Sequence, residues 1–484
     1  MLKCLLVASS KTIAGFEYFL KVPNSGLASL AANVDRSNCS VKILDLVAVK
    51  TSPEKYFARF IKKNKFHLIG FSCMVFQYSQ MERLARIAKE NDPSVKTVLG
   101  GYYPTVNCEN YTSPDDMRYF DFIIRGEGEI PFRKLTGELN SDLNFENVPS
   151  LTYVKEGKII HNECSEPAGL NTLRIPDRDA RIIKRGFSIL NTPVDVCETS
   201  RGCTFTCNFC CISKMYGRSF RKYTVKRIIE DIKDAKSRGA KAIFFSDDNI
   251  TLDVKHLESL CSAIIDNGLN KMKFFTQASV KGFHDNPNLA RLMRQAGFEW
   301  IFLGIESPDD ESLKFFKKDN QLKSSDIEGV VNSLRNENIF TIGGIIIGNP
   351  NDSAESINKT YEYLKKIKVD MITVMALTPY PGTELRNELI KKNYITNRDD
   401  LSRYDNYHVN VRTEYLNSGE LFNILDSITH KYFVGSGAIV RIIKRYPLFF
   451  IKSFSRFIVY HPDMVFHHLT KGVFLSRKRY NTRG

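Results

Sequence analysis

The fold of this chain is restricted most by an alternation of apolar and helix-like segments between about residues 195 and 384. The apolar segments occupy residues 242–245, 274–278, 300–307, 342–350 and 371–377. Such continuous apolar runs are typical of parallel strands that are buried on both faces. Their alternation with helices predicts an α/β fold and is the alternation that a (β/α) barrel requires over residues 196–390.

Polar residues accompany the ends of several of these apolar segments. They are Ser246, Asp247 and Asp248 after the first segment, Gln277 in the second, and Glu306 and Ser307 at the end of the third. Barrel enzymes carry their active sites at the carboxyl ends of the strands, where the polar side chains of several strands meet. A candidate site is therefore predicted at that end of the barrel.

Three cysteines, Cys203, Cys207 and Cys210, stand in a CxxxCxxC spacing ahead of the first segment. Iron-sulfur clusters are normally held by four thiolates, so a cluster held by three would leave one iron open to a ligand. A disulfide framework suits small secreted domains better than a 484-residue chain with 11 cysteines. Structural zinc needs a second ligand pair, which does not follow at a suitable distance. The cluster interpretation is preferred to both, and core cysteines that happen to lie close are a third alternative.

The CxxxCxxC motif resembles that of the radical S-adenosylmethionine (SAM) superfamily, whose members share a partial (β/α) barrel. The resemblance implies a partial (β/α)6 barrel of the TIM type over residues 196–390. The resemblance implies that the three cysteines hold a 4Fe-4S cluster whose open iron binds SAM, and that electron transfer cleaves SAM to a 5′-deoxyadenosyl radical. The family's Gly-Gly-Glu motif is replaced here by Ser246, Asp247 and Asp248. The implied SAM contacts are Ser246, Asp247, Asp248, Gln277, Glu306, Ser307, Gly344 and Gly348.

Residues 1–145 predict a separate doubly wound Rossmann-like domain, because strand-like and amphipathic helical segments alternate there. No GxGxxG or GxxxxGK[ST] motif is present, which argues against a dinucleotide or nucleoside triphosphate ligand. The domain resembles the cobalamin-binding domain of cobalamin-dependent radical SAM enzymes, which implies ligand contacts at Ser72, Gly100, Gly101, Gly126, Glu127 and Gly128. It lacks the DxHxxG motif, and His67 is interpreted as a strand-edge residue. A domain without cobalamin remains an alternative.

A connector is predicted over residues 146–195 and a helical basic region over residues 391–484. The chain has a formal charge of +15, and ten Lys or Arg residues from Arg441 onward stand against the single acid Asp463. No apolar stretch reaches the ~20 residues that span a bilayer. Residues 438–484 could bind an anionic membrane surface or pack on the barrel as a helical cap. RNA ranks below both because no nucleic-acid-binding module is recognisable.

The resemblance implies a cobalamin-dependent radical SAM enzyme. We expect it to be a C-methyltransferase that acts on an unactivated carbon of a lipid or other hydrophobic small molecule, with an electron donor such as flavodoxin or ferredoxin. An oxidative cyclase or other non-methylating enzyme of lipids or porphyrins is one alternative. A non-catalytic iron-sulfur or cobalamin sensor is another. The unpaired thiols favour the reducing cytoplasm, with possible attachment at the inner face of the membrane.

Overall fold

The computed structural model describes residues 1–12, 20–164, 166–319, 322–435, 437–445, 447 and 451. Across these residues, every helix is too short or too polar to cross a lipid bilayer. In chain order the strands are β1 (Leu2–Ala8), β2 (Leu20–Lys21), β3 (Cys39–Asp45), β4 (Leu68–Ser72), β5 (Lys96–Gly100), β6 (Phe122–Ile124), β7 (Leu151–Lys155), β8 (Lys158–His161), β9 (Ser188–Ile189), β10 (Thr192–Cys197), β11 (Ser200–Arg201), β12 (Arg221–Lys222), β13 (Ala242–Phe245), β14 (Lys273–Ser279), β15 (Phe298–Glu306), β16 (Phe340–Ile347) and β17 (Met371–Ala376).

The α-helices lie between these strands and after the last of them. They are α1 (Ser25–Asn33), α2 (Pro53–Lys63), α3 (Tyr78–Asn91), α4 (Tyr102–Val106), α5 (Pro114–Met117), α6 (Glu129–Glu138), α7 (Ile212–Tyr216), α8 (Val225–Ser237), α9 (Val254–Asp266), α10 (Val280–His284), α11 (Leu289–Gln295), α12 (Asp310–Phe315), α13 (Ser324–Asn336), α14 (Ala354–Lys366), α15 (Glu384–Lys391), α16 (Ser418–Gly435) and α17 (Ala438–Arg445). Several begin at residues whose side chains satisfy a free backbone N–H. Asn24 accepts from Leu27 at 2.9 Å before α1, and Asp253 accepts from His256 at 3.0 Å before α9.

The first sheet has the strand order β3-β1-β4-β5-β6-β7-β8. Its first five strands are parallel, and β7 and β8 extend it as an antiparallel hairpin. Helices α1 and α6 pack on one face, while α2 and α3 pack on the other. This arrangement confirms the doubly wound prediction. The strand order reverses between β1 and β4, so the carboxyl ends of these two strands flank the crevice where such folds bind ligands.

The second sheet has the order β17-β16-β15-β14-β13-β10-β9-β2. Strands β10 and β13 to β17 are parallel, which confirms the predicted six-stranded partial barrel. Its helices pack outside, and apolar side chains of strands and helices form the largest core of the molecule. The short antiparallel strands β9 and β2 extend this sheet beyond β10. Because β1 belongs to the first sheet and β2 to the second, the start of the chain contributes a strand to each sheet.

Helix α17 lies against the amino ends of the barrel strands. Arg441 donates to the carbonyl oxygen of Val369 at 3.0 Å, and Arg445 donates to those of Asn338 at 2.7 Å and Glu299 at 3.2 Å. These contacts favour the cap interpretation for residues 438–445. Residues 446–484, for which the sequence left a membrane surface and a cap as alternatives, lie almost entirely outside the described residues.

Candidate active site

The three motif cysteines line one cavity of about 450 Å³ at the carboxyl ends of the barrel strands. They lie in the loop between β11 and α7, and all three are half-buried. Asp248, Gln277 and Glu306 line the same cavity from the ends of β13, β14 and β15. This cluster cavity therefore joins the cysteine loop to three neighbouring strand ends, where barrel enzymes place their chemistry.

Close backbone packing holds the start of the cysteine loop. Gly202 has φ +86°, and a Cβ there would lie 2.2 Å from the carbonyl oxygen of Ser219, so only glycine fits. Its N–H donates to a carboxylate oxygen of Asp248 at 2.9 Å. The loop that carries the cysteines is thus tied directly to the end of β13.

Burial raises the pKa of the Cys203 and Cys210 thiols, and the other cysteines of the loop raise that of Cys210 further. Clustered thiols of this kind become good ligands once a cation compensates their negative charge. Among the described residues, no group of three or more Cys, His, Asp or Glu side chains converges on a single metal ion. A 4Fe-4S cluster does not require such convergence, because it binds each thiolate at a different iron. The donor set therefore fits a three-cysteine cluster.

Glu306 forms a buried ion pair on the wall of the cluster cavity. Lys318 Nζ lies 2.5 Å from Glu306 Oε1, and both side chains are at most 10 % exposed. Burial lowers the pKa of Lys318, but the attraction of Glu306 and Cys207 outweighs it and leaves the pKa raised. Sequence reasoning missed Lys318, because it lies after α12 and reaches back to β15 only in the folded chain.

The other SAM contacts implied by the sequence lie outside the cluster cavity. Asp247 is fully buried and accepts hydrogen bonds from Thr199 and Ser200. Ser307 is buried in a turn, where its hydroxyl accepts from the N–H of Asp309. Gly344 leaves room for the ring of Phe302, and Gly348, at φ +102°, packs near Leu421. Ser246 lines a different cavity.

A second cavity, of about 320 Å³, opens at the switch point of the first sheet. All six positions that the sequence implied for a corrinoid line it: Ser72, Gly100, Gly101, Gly126, Glu127 and Gly128. No histidine is among the described residues that line it. His67 lies at the opposite end of β4, where its Nδ1 accepts from the N–H of Lys3 at 2.9 Å.

Two features of this corrinoid cavity fit a large ligand with polar edges. A Cβ on Gly100 would meet one atom, 3.9 Å away, so the glycine leaves open space beside the sheet. The Ser246 hydroxyl is buried and has no hydrogen-bond partner among the described residues, so it can bind a polar ligand group. The cavity is at the small end of ligand sites, about 300–1,000 Å³, and would enclose only part of a corrinoid.

Asp248 lines both cavities, so the two meet at its carboxylate. Burial raises its pKa to about 7, although the hydrogen bond from Gly202 opposes this shift. No other side chain lines both cavities among the described residues. Groups bound in the two cavities would therefore approach each other beside Asp248.

A buried ion-pair network ties the two domains together next to this junction. Arg201 of β11 lies 2.9 Å from Glu127, 2.8 Å from Glu129 and 2.9 Å from Glu198. Arg221 also pairs with Glu127. Burial raises the pKa of Glu129, but Arg201 outweighs that effect and lowers it. The sequence implied Glu127 as a site residue but not Arg201, which lies two residues before Cys203.

Two family models match separate parts of the chain. Residues 197–364 match the profile of the Radical SAM superfamily, and residues 12–136 match that of the B12 binding domain. The chain is 27% identical to an uncharacterised methyltransferase of Pyrococcus horikoshii, over 90% of this chain and 93% of that protein. It is also 27% identical to the hopanoid C-3 methylase of Methylococcus capsulatus, over 76% of this chain and 68% of that protein.

The fold is similar to that of TsrM, a radical SAM methyltransferase of Kitasatospora setae whose structure holds cobalamin and a [4Fe-4S] cluster. The TM-score is 0.69 at 14% identity, over 90% of this chain and 92% of that chain. The first profile contains the three cysteines of the cluster cavity, and the second contains the glycines that line the corrinoid cavity.

Proposed function

We propose that this chain, which belongs to the cobalamin-dependent radical SAM enzymes, methylates an unactivated carbon of a lipid-like or other hydrophobic small molecule. Its cofactors are a 4Fe-4S cluster, SAM and cobalamin. The observation that carries the proposal is the meeting of the two cavities at Asp248. Methyl transfer from a corrinoid needs the methyl donor and the activated carbon side by side, and adjoining cavities provide that proximity.

When bound, these cofactors supply hydrogen-atom abstraction from the substrate and a methyl group for the resulting carbon centre. Cys203, Cys207 and Cys210 would hold three of the four irons through their thiolates. Glu306 and Lys318 present a carboxylate and an ammonium side by side, which suits the amino and carboxylate groups of SAM. Gln277 adds an amide to the same wall.

In the corrinoid cavity, Gly100 and Gly126 would let the ring approach the backbone. The hydroxyl of Ser246 would donate to a polar edge of the ligand. The ion pairs of Arg201 would hold the loop at Glu127 against the cysteine loop, so that the two cavities keep their spacing.

Apolar and aromatic side chains in the cluster cavity support a hydrophobic substrate. Phe205, Phe209, Ile212 and Phe302 line it together with the cysteines. The relationship to a hopanoid methylase points in the same direction. We place the reaction in a reducing compartment with flavodoxin or ferredoxin as the electron donor. The sulfur atoms of Cys4 and Cys39 lie 3.5 Å apart and are not joined by a disulfide.

Deletion of the gene in its native host, followed by comparative mass spectrometry of lipids and pigments, tests this function. We expect the deletion strain to lack a compound one methylene heavier, by ~14 mass units, than a compound that accumulates. Complementation with the wild-type gene should restore it, and complementation with Cys203→Ala should not. If the missing compound instead differed from the accumulated one by a ring and not by a methylene, the reaction would be oxidative cyclisation and not methylation.

A further inference from the structure

Two basic side chains lie at the mouth of the cluster cavity. Lys214 on α7 and Arg218, just beyond that helix, are exposed and line the cavity, whereas Glu306 and Lys318 are buried at its floor. Within the described part of the chain, neither the Lys214 ammonium nor the Arg218 guanidinium makes an ion pair or a hydrogen bond. Two solvated cations therefore stand at the entrance.

Neighbouring basic groups are, by contrast, matched with acids. Lys317 lies 2.5 Å from Glu384, which also lines the cavity, and Lys318 lies 2.5 Å from Glu306. The acids Glu306 and Glu384 are thereby neutralised. Asp248, the remaining acid among the described lining residues, is mostly buried and accepts from the N–H of Gly202. The field at the mouth is consequently positive, and such a field concentrates anionic ligands.

The wall between the mouth and the floor is partly apolar. Phe209, Ile212 and Phe302 contribute to it. A ligand that satisfies both regions has an apolar body and an anionic group at one end. A guanidinium binds the oxygens of a phosphate or carboxylate in a bidentate manner, and an ammonium adds a second point charge.

We propose that the substrate carries a phosphate or carboxylate group that Lys214 and Arg218 bind at the mouth of the cluster cavity. This inference rests on the proposed function and specifies its substrate as an amphipathic acid. Anchoring the anionic end fixes how far the apolar part reaches toward the cysteines. The two cations thus help to select which carbon lies next to the reactive centre.

Binding of three probes to the anaerobically reconstituted protein tests the inference without turnover. Octyl phosphate has both the anionic group and an apolar chain, 1-octanol has only the chain, and inorganic phosphate has only the anion. We expect isothermal titration calorimetry to give octyl phosphate at least tenfold tighter binding than either partial probe. Lys214→Met combined with Arg218→Met should weaken octyl phosphate binding at least tenfold and leave 1-octanol binding unchanged.

The matched control is Lys226→Met combined with Arg291→Met. Both residues are exposed on helices and lie outside the lining of the cluster cavity, and the pair removes the same two charges. This control should bind octyl phosphate like the wild type, which separates local contact from net charge. Thermal unfolding and the cluster absorbance of each variant report whether the fold and the cysteine loop are intact.

Equal binding of octyl phosphate and 1-octanol to the wild type would overturn the inference, as would wild-type affinity in the Lys214 and Arg218 variant. Tight binding of inorganic phosphate alone, without a contribution from the chain, would assign the cations to a free anion instead. If the Lys214 and Arg218 variant lost flavodoxin binding but kept octyl phosphate binding, the two cations would be assigned to the electron donor. The experiment measures binding and not methyl transfer. Its result can therefore be interpreted even if the proposed function is wrong.

Discussion

At the residue scale, the Arg201 guanidinium holds together three carboxylates that line the corrinoid cavity, those of Glu127, Glu129 and Glu198. Its side chain is 6 % exposed, and those of Glu127 and Glu129 are 8 % and 5 % exposed. Removing one member of a buried ionic network leaves its partners desolvated and uncompensated, which is more costly than the loss of an exposed pair.

Arg201→Met should therefore lower the free energy of unfolding by about 3–5 kcal/mol, measured by urea denaturation of the protein. Arg36→Met is the matched control. Arg36 pairs with Asp177 at 2.8 Å but is 59 % exposed, and its loss should lower the free energy of unfolding by about 0–1 kcal/mol. Equal effects of the two substitutions would show that the Arg201 network does not stabilise the junction.

Asp248 should make stability depend on pH. Its pKa is raised by burial to about 7, whereas an unfolded aspartate titrates near ~3.9. Between these values the native state holds a proton that the unfolded state has lost, so this group's contribution falls as the pH rises toward 7. Asp248→Asn removes this pH dependence. The free energy of unfolding of the variant, relative to that of the wild type, should therefore rise by on the order of 2 kcal/mol from pH 5 to pH 8.

The measurement is the free energy of unfolding of both proteins at pH 5 and pH 8. Asp142→Asn, at an exposed position in a turn, should show no such difference. A difference between Asp248→Asn and the wild type that stays constant with pH would contradict the buried, proton-binding carboxylate.

The sequence predicted the residue types at the site better than it predicted where each side chain lies. Ser246 and Asp248 line the corrinoid cavity, while Asp247 between them turns into the protein toward Thr199 and Ser200. Sequence reasoning treated the three alike. The strand-end motif alone does not show which of its side chains will form hydrogen bonds inside the protein and which will face a cavity. Lys318 left no local signal, since its role depends on contact with Glu306.

At the element scale, the loop after β5 shapes the corrinoid cavity. Gly101 has φ +98°, and a Cβ at this position would lie 2.7 Å from the carbonyl oxygen of Cys73. Side chains are strained in this backbone conformation, and the neighbouring backbone would also have to move. The loop therefore needs glycine at this point.

Gly101→Ala should lower the free energy of unfolding by about 1–3 kcal/mol and reduce the corrinoid retained by the purified protein, measured by its visible absorption. Gly137→Ala is the control, because no atom lies within 4 Å of a Cβ there, in helix α6. It should raise stability by about 0.5–1 kcal/mol. Unchanged stability and corrinoid content in Gly101→Ala would refute the packing role.

Long strands were predictable from the sequence because buried parallel strands are continuous apolar runs. The segment 242–245 coincides with β13, and the segment 371–377 differs from β17 by one residue. Strands β2, β9, β11 and β12 have two residues each and carry no periodicity. One of them, β11, supplies Arg201 and leads into the cysteine loop, so the link between the domains was missed.

At the scale of the whole molecule, each of the two sheets has a cavity at the carboxyl ends of its strands, and the two cavities adjoin. The sequence indicated both sites separately. Their contact at Asp248 depends on how the domains dock, and that docking rests on ion pairs between residues more than 70 positions apart, such as Glu127 and Arg201. No local pattern predicts it.

The most direct test of the proposed chemistry is the amount of 5′-deoxyadenosine formed by the anaerobically reconstituted protein with SAM and a reductant. We expect the product from the wild type and from Cys211→Ala, because Cys211 packs with the core of the first domain and lies outside the lining of the cluster cavity. Cys203→Ala, Cys207→Ala and Cys210→Ala should each form none and lose the cluster absorbance. Product formation that survives loss of these cysteines, or its absence in a wild type with an intact cluster, would contradict the assignment.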